Sequence, residues 1–101
     1  MTAIFIVRAE VDPDARDAFD LWYETEHLPD AVKALGTTSA SRGWSYVEEN
    51  VHIAFYEFRD LAAVRQMMAS DALKDMIAEF SRHWDGKVTR TRDAVELIQK
   101  I

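Results

Sequence analysis

The stretch TAIFIVRAEV, residues 2–11, decides the fold of this 101-residue chain. Successive side chains of a β-strand point to opposite faces of the sheet. On one face the stretch carries Phe5, Val7, Ala9 and Val11. On the other face it carries Ile4 and Ile6. Because both faces are apolar, the sequence predicts a strand that is covered on both sides.

A helix is predicted directly after this strand. Asp12 and Pro13 indicate its start, because Asp caps free N–H groups and Pro at the first helical position has none to satisfy. Pro29 should kink the helix near His27, after which helical geometry resumes up to Gly36. The sequence therefore predicts an interrupted amphipathic helix, and we expect functional residues near the kink.

The remaining elements are a hairpin, two helices and a strand. Strand-like runs over 37–47 and 51–58 flank a polar tip and predict a β-hairpin. Asp60 is expected to cap a short helix, and Ser70 or the aspartate after it to cap a longer one. The run 88–98 predicts the last strand.

The predicted order βαββαβ is an α+β fold, a ferredoxin-like single domain spanning residues 1–101. Its four-stranded antiparallel sheet has both helices on one face, so the other face stays open. At roughly 25 cal/mol per Å², several large apolar side chains left in water would cost several kcal/mol. Closed two-fold pairs are the commonest oligomers. The sequence therefore predicts a homodimer that associates through the open sheet face.

Composition excludes several classes of function. The net charge is −6 and the basic residues are scattered, which disfavours nucleic acid and anionic membrane surfaces as partners. Without cysteine there is no disulfide, thiolate nucleophile or thiolate metal site. No phosphate-binding glycine motif and no haem-ligand signature occurs, so no cofactor is predicted. The N-terminal stretch lacks a basic leader and a cleavage-like site, and we expect a cytoplasmic protein.

The segment FDLWYETEHLP, residues 19–29, resembles a motif of the dimeric α+β barrel superfamily. It is most similar to the EthD-like members, whose first helix carries a W-Y-x-x-E-H-x-P pattern after a comparable strand. The resemblance implies a dimer whose two sheets close into a barrel. It also implies a small-molecule cavity between each sheet and its own helices. His27 stands at the EH position of the motif and is the leading candidate residue.

His27 is the predicted catalytic residue, with Glu24 as its partner. Residues three and four apart are neighbours on a helix, so Glu24 and Tyr23 are expected beside His27. A carboxylate beside an imidazole raises its pKa and fixes its tautomer, as a general base or acid requires. The alternative is structural, with His27 capping the kinked helix or bonding a backbone carbonyl left free by Pro29.

Six aromatic side chains are candidate substrate-binding residues, because pockets for flat organic ligands are mostly apolar with a few polar groups. They are Trp22, Tyr23, Trp44, Tyr46, Tyr56 and Trp84. Core packing or a dimer interface explains the same residues, since a small domain needs large side chains to bury enough surface.

Three arginines complete the candidate site. Arg90 and Arg92 lie on one side of the last strand and, together with Arg42 of the hairpin, could bind a ligand carboxylate through paired hydrogen bonds. Interchain ion pairing is the simpler account. The three histidines lack the H-x-H and H-E-x-x-H spacings of metal ligands, so no metal site is predicted.

Three functional hypotheses follow. The first is a cofactor-independent enzyme, of monooxygenase or isomerase type, that acts on a small planar organic compound with His27 moving a proton. The alternative is a non-catalytic homodimer, small-molecule-binding or stress-associated, that holds a ligand without transforming it. The third is a purely structural dimer whose cavity is filled by its own side chains.

Overall fold

The computed structural model describes all residues from Met1 to Ile101. The chain begins with strand β1 (Ala3–Val11), a 3₁₀ turn (Pro13–Ala15), helix α1 (Arg16–Trp22), a π-helical turn (Tyr23–His27) and helix α2 (Leu28–Leu35). It continues with β2 (Ser39–Trp44), β3 (Val51–Phe58), α3 (Leu61–Met68), α4 (Asp71–Trp84) and β4 (Val88–Glu96). The predicted element order is confirmed.

The four strands form one antiparallel sheet in the order β2-β3-β1-β4. Strand β1 lies in the interior and pairs with β3 and β4 over nearly its whole length. The apolar face of β1 that begins with Ala3 and Phe5 is buried beneath the helices. The first strand and the ferredoxin-like fold class are thereby confirmed, whereas the predicted cover over its second face, with Ile4 and Ile6, is not present within one chain.

Strand β2 is shorter than the predicted run 37–47. It ends at Trp44, and the side chain of Ser45 then accepts hydrogen bonds from the backbone N–H groups of Val47 and Glu48. This local bonding offers the backbone an alternative to the strand ladder. The turn closes at Asn50, whose φ of 59° is left-handed and suits asparagine.

The predicted helix ends are confirmed where the side chains cap the backbone. The carboxylate of Asp60 accepts the N–H of Ala63 at 2.8 Å, and the Ser70 hydroxyl accepts the N–H of Leu73 at 3.2 Å. Gly36 ends α2 in the left-handed region at φ 72°, where a side chain would be strained. These caps satisfy backbone groups that a helix end leaves free.

An aromatic core holds the helices on the sheet, and Phe19 of α1 is its centre. Phe19 is completely buried. Six rings lie with centroids 5.2–6.3 Å from its own, those of Trp22, Tyr23, Trp44, His52, Phe80 and Trp84. These distances fall in the range of favourable edge-to-face and tilted contacts. One side chain therefore joins α1, α4 and the β2–β3 hairpin.

The second face of the sheet has no helix over it. Its apolar residues are partly exposed, with Phe55 39% and Val95 38% accessible. The others are Ile4, Ile6 and Ile53. The strand register places Ile6 opposite Phe55 and Ile4 opposite Val95, so the apolar side chains are neighbours on this face. None of the helices has the length and apolar character needed to cross a lipid bilayer.

We expect Phe19→Ala to lower the free energy of unfolding by roughly 3–5 kcal/mol, because the truncation leaves a cavity among packed rings. Urea unfolding followed by circular dichroism at fixed protein concentration measures this loss. The matched control is Leu21→Ala on the same helix, where the side chain is 61% exposed and little should change. Equal effects of the two substitutions would contradict the central role of Phe19.

Candidate functional site

The site begins at a π-helical turn rather than at a kink. Pro29 has no N–H to donate to the carbonyl of Thr25, as the sequence indicates. The chain does not break, because the N–H of Leu28 bonds the carbonyl of Tyr23 five residues back and α2 follows directly. Single π-helical turns of this kind often occur at functional sites. The turn lets Tyr23 and His27 lie together on the buried side of the segment.

A narrow cavity lies between this turn, α4 and the sheet. About 360 Å³ inside it, including the open mouth, is free of protein atoms, but only about 30 Å³ admits the centre of a water molecule. Its walls are mostly apolar. The lining residues are Phe5, Val7, Tyr23, His27, Ala31, Leu35, Tyr56, Leu73, Met76, Ile77, Phe80, Arg90 and Arg92. No carboxylate is among them.

His27 lines the cavity as a buried, neutral imidazole. Its ring stacks on Trp22 at 4.6 Å between centroids, with an angle of 20° between the planes. The ring of Tyr23 meets it edge-on at 4.8 Å. Burial, followed by the positive charge of Arg90, lowers the pKa of His27 to about 4. The imidazole caps no helix end, so the capping alternative is not what the structure shows.

The expected pair of Glu24 and His27 does not form, and this part of the sequence prediction is wrong. Glu24 is exposed to solvent on the outer side of the π-helical turn, whereas His27 is buried. The shift from four-residue to five-residue hydrogen bonding changes which side chains share a face. The pKa of His27 is accordingly lowered by burial instead of being raised by a carboxylate.

Two tyrosine hydroxyls form the polar centre of the cavity wall. The hydroxyls of Tyr23 and Tyr56 are 2.7 Å apart and buried. Burial raises the pKa of Tyr56 to about 12 and raises that of Tyr23 well above its usual value. Both hydroxyls therefore keep their protons at neutral pH. Only one of the two protons is used in the bond between them, because each hydroxyl carries one.

Arg90 and Arg92 bring positive charge to the cavity. The Arg90 guanidinium lies 3.6 Å above the ring of Phe80 and donates one hydrogen bond to the carbonyl of Ile77 at 3.3 Å. Burial, followed by the charge of Arg92, lowers the pKa of Arg90 to about 10, so it remains charged at neutral pH. Neither arginine forms a salt bridge with a carboxylate of the chain.

Arg42 does not line the cavity and instead ties the β2–β3 hairpin to α1. It pairs with Asp20 at 2.8 Å and reaches the Nε2 atom of His52 at 3.2 Å. A guanidinium only donates, so Nε2 of His52 must be the unprotonated nitrogen. Burial, followed by the charge of Arg42, lowers the pKa of His52 to about 4. The predicted ligand-binding role of Arg42 is therefore replaced by a structural one.

The structure separates the six aromatic candidates into three groups. Tyr23 and Tyr56 line the cavity. Trp22 and Trp84 are buried in the core, where Trp22 supports His27 from behind. The other two lie away from the cavity. Trp44 stacks under Arg16 and donates to Asp20, and Tyr46 is fully exposed in the hairpin loop.

The histidines do not converge on one point. His27 faces the cavity, His52 lies on β3 beside Arg42, and His83 is exposed on α4. No group of three or more His, Asp or Glu side chains is placed to hold a metal ion.

A second, wider groove lies on the outside of the same layer. It runs between the end of α2, α3 and the start of α4, and it is open to solvent. Its walls include Gly36, Phe58 and Met67, together with Leu35, which also lines the cavity.

Comparison with solved structures shows where this fold recurs. SnoaB, a cofactor-independent oxygenase from Streptomyces nogalater studied as a mutant, has a TM-score of 0.72 at 14% identity, covering 99% of this chain and 96% of that one. An EthD family protein from Bacillus halodurans has a TM-score of 0.69 at 18% identity, covering 94% and 99%. HapK from Hahella chejuensis has a TM-score of 0.70 at 16% identity, covering 99% and 95%.

The chain therefore has the ferredoxin-like α+β fold of an EthD family protein and of a cofactor-independent oxygenase. This likeness confirms the fold that the EthD-like resemblance implied. No family model matches the chain, and no curated protein matches it in sequence.

The buried histidines make a pH prediction. An unfolded histidine titrates near pH 6.5, whereas His27 and His52 titrate near pH 4 in the folded chain. Between these values the unfolded chain binds more protons, so stability is full above pH 6.5 and falls toward pH 4. Urea unfolding across this range measures the loss, and NMR of the imidazole protons measures the two pKa values. His27→Gln should remove roughly half of the dependence, because His52 keeps its own contribution, and an unchanged slope would contradict burial of a neutral His27.

Proposed function

We propose that this chain is one subunit of a cofactor-independent enzyme, of monooxygenase or isomerase type, that acts on a small planar organic compound. His27 is the proposed general base, and Tyr23, Tyr56 and Arg90 are the proposed substrate contacts. One observation carries the proposal: a neutral imidazole without a structural hydrogen bond faces a cavity that also holds two hydroxyls and a guanidinium.

His27 suits the first step of such a reaction. At neutral pH its ring is unprotonated and can accept a proton from an acidic O–H or C–H of the ligand, while the electron pair stays on the ligand. The imidazolium that forms is disfavoured by burial and by Arg90. The new negative charge on the ligand offsets both effects. The ligand thus supplies the charge that Glu24 was expected to provide.

The fold comparison supports the type of chemistry that follows. SnoaB, which shares the fold, is a cofactor-independent oxygenase. A deprotonated phenol or enol can give up electrons to dioxygen, or it can take its proton back at another carbon in an isomerisation. Either route uses the same proton acceptor in the cavity.

The second candidate is non-catalytic binding by a chain that closes on its ligand. Only about 30 Å³ admits a water centre, which is less than a planar ring requires. A ligand therefore has to displace side chains at the mouth, such as Leu35 and Ile77, which are only partly buried. A protein that closes on its ligand in this way can store or sense it without transforming it.

We also propose that the working form is a homodimer joined through the open sheet face. Five apolar side chains lie together there and are only partly covered within one chain. A second copy that places the same patch against this one would bury them symmetrically. Two cavities would then lie on the outer sides of a shared pair of sheets.

Replacement of the proposed base should abolish turnover without unfolding the protein. We expect His27→Gln to reduce kcat/KM by a factor on the order of 10²–10⁴ on a substrate found by screening one- to three-ring phenols for product formation and oxygen uptake. The control is Asp30→Asn, an exposed change on the helix that follows and outside the motif, which should keep full activity. Unchanged turnover in His27→Gln would exclude the catalytic role.

A charge on the open sheet face should separate the proposed subunits. Phe55→Glu places a carboxylate in the middle of the apolar patch, so we expect a shift from dimer to monomer in sedimentation velocity at micromolar concentration. Val47→Glu is the control, because Val47 is 89% exposed in the hairpin loop. A wild-type chain that sediments as a stable monomer refutes the dimer.

A further inference from the structure

The cavity has positive side chains in its wall and no negative ones, and the proposed proton transfer to His27 does not require this excess of positive charge. The chain has 18 acidic residues and 12 basic ones, yet the cavity is lined by two arginines and no acid. Neither Arg90 nor Arg92 has a carboxylate partner in the chain. Arg92 is exposed and keeps its hydration, whereas Arg90 is partly buried, and a partly buried charge is normally paired because it loses hydration without compensation.

The guanidinium of Arg90 is held in a fixed position, but most of its N–H groups have no hydrogen-bond acceptor in the chain. Stacking on Phe80 and one bond to the carbonyl of Ile77 fix the plane of the guanidinium. A guanidinium has five N–H donors, so the others have no acceptor among the protein groups that contact it. A planar, oriented group of this kind recognises two oxygens, or one charged oxygen, better than a flexible ammonium does.

The hydroxyl pair provides a second, neutral donor. Tyr23 and Tyr56 share one hydrogen bond at 2.7 Å, and the proton of the accepting hydroxyl is left over. The positive charge of Arg90 acts on both tyrosines, as well as on His27. An anionic ligand oxygen in the cavity would therefore meet one charged donor and one neutral donor.

We infer that the cavity binds its ligand as a planar organic anion, with the negative oxygen at Arg90 and the leftover Tyr23–Tyr56 proton. The inference rests on the proposed function because it concerns the same cavity, and it names the charge state of the ligand. The chemistry is that of an anionic oxygen on a flat ring, supplied by a phenolate or by an aromatic carboxylate.

The net charge of the protein does not prevent such binding. A total of −6 repels an anion at long range. At physiological ionic strength exposed charges are screened beyond about 8 Å, whereas a guanidinium at contact distance in a partly buried cavity is screened much less. The local charge therefore decides the affinity, and the net charge acts mainly on the association rate.

The test uses three probes of similar size on the full chain: 4-nitrophenolate, benzoate and the neutral 4-nitroaniline. We expect saturable binding of at least one anion. Binding of 4-nitrophenolate is measured by its absorbance, and binding of benzoate is measured by displacement of 4-nitrophenolate or by calorimetry. Arg90→Met should weaken anion binding about tenfold or more and leave 4-nitroaniline unaffected. The double variant Tyr23→Phe/Tyr56→Phe should weaken it about threefold, because either hydroxyl alone would still carry a proton for the ligand. Arg82→Met, on the exposed face of α4, is the matched control.

The two anions distinguish the sources of the charge. Preference for 4-nitrophenolate assigns a phenolate ligand, and preference for benzoate assigns a carboxylate. Tighter binding of 4-nitroaniline than of both anions, equal anion affinity in Arg90→Met, or no anion binding at all would overturn the inference. His27→Gln separates it from the proposed function, because this variant should keep anion binding while turnover is lost. Loss of turnover in His27→Gln without any anion binding in the wild type would refute the inference alone.

Discussion

Pro29 cannot donate a backbone hydrogen bond, and the helical segment accommodates this without breaking. The bond from Leu28 to Tyr23 spans five residues, so the segment gains a π-helical turn and continues into α2. That turn aligns Tyr23 with His27 and directs both toward the sheet. The register of β3 then brings Tyr56 to the same place. The polar part of the cavity thus lies where the π-helical turn faces β3.

The charges around the aromatic core are arranged in two sets. On one side Asp20 neutralises Arg42, accepts the Trp44 indole and stabilises the hairpin against α1. On the other side Arg90 meets no acid and leaves the cavity positive. The two histidines that belong to these sets, His52 and His27, both have pKa values lowered mainly by burial. Only His27 is without a structural hydrogen bond, which favours it over His52 as the proposed proton acceptor.

Local signals predicted most of the fold. Cap residues such as Asp60 and Ser70, the glycine at position 36 and the alternation of β1 depend on neighbouring residues, and they appear as expected. The predicted contact between Glu24 and His27 is wrong for a physical reason. Their spacing of three residues places them side by side on an ordinary α-helix, and nothing in the sequence shows that the hydrogen bond here spans five residues. The position of a ring relative to a cavity depends on tertiary packing. Trp22 and Tyr23 are adjacent in sequence, yet one supports His27 from the core and the other lines the cavity.

Some features of the site could be recognised only in three dimensions. A buried tyrosine hydroxyl needs a partner, which is a signal in the sequence, but the pairing of Tyr23 with Tyr56 depends on residues 33 positions apart. The unpaired state of Arg90 is likewise invisible in a chain with 18 acidic residues, because any of them could have been its partner. The positive charge of the cavity depends on which side chains are buried and how far apart they lie, and both are properties of the folded chain.

Leu35 borders two spaces at once, the narrow cavity and the wide groove beside α3. The same side chain is therefore part of the wall of both spaces. A substitution at this position changes the shape of the interior space and of the surface groove together, so neither can be altered there without the other.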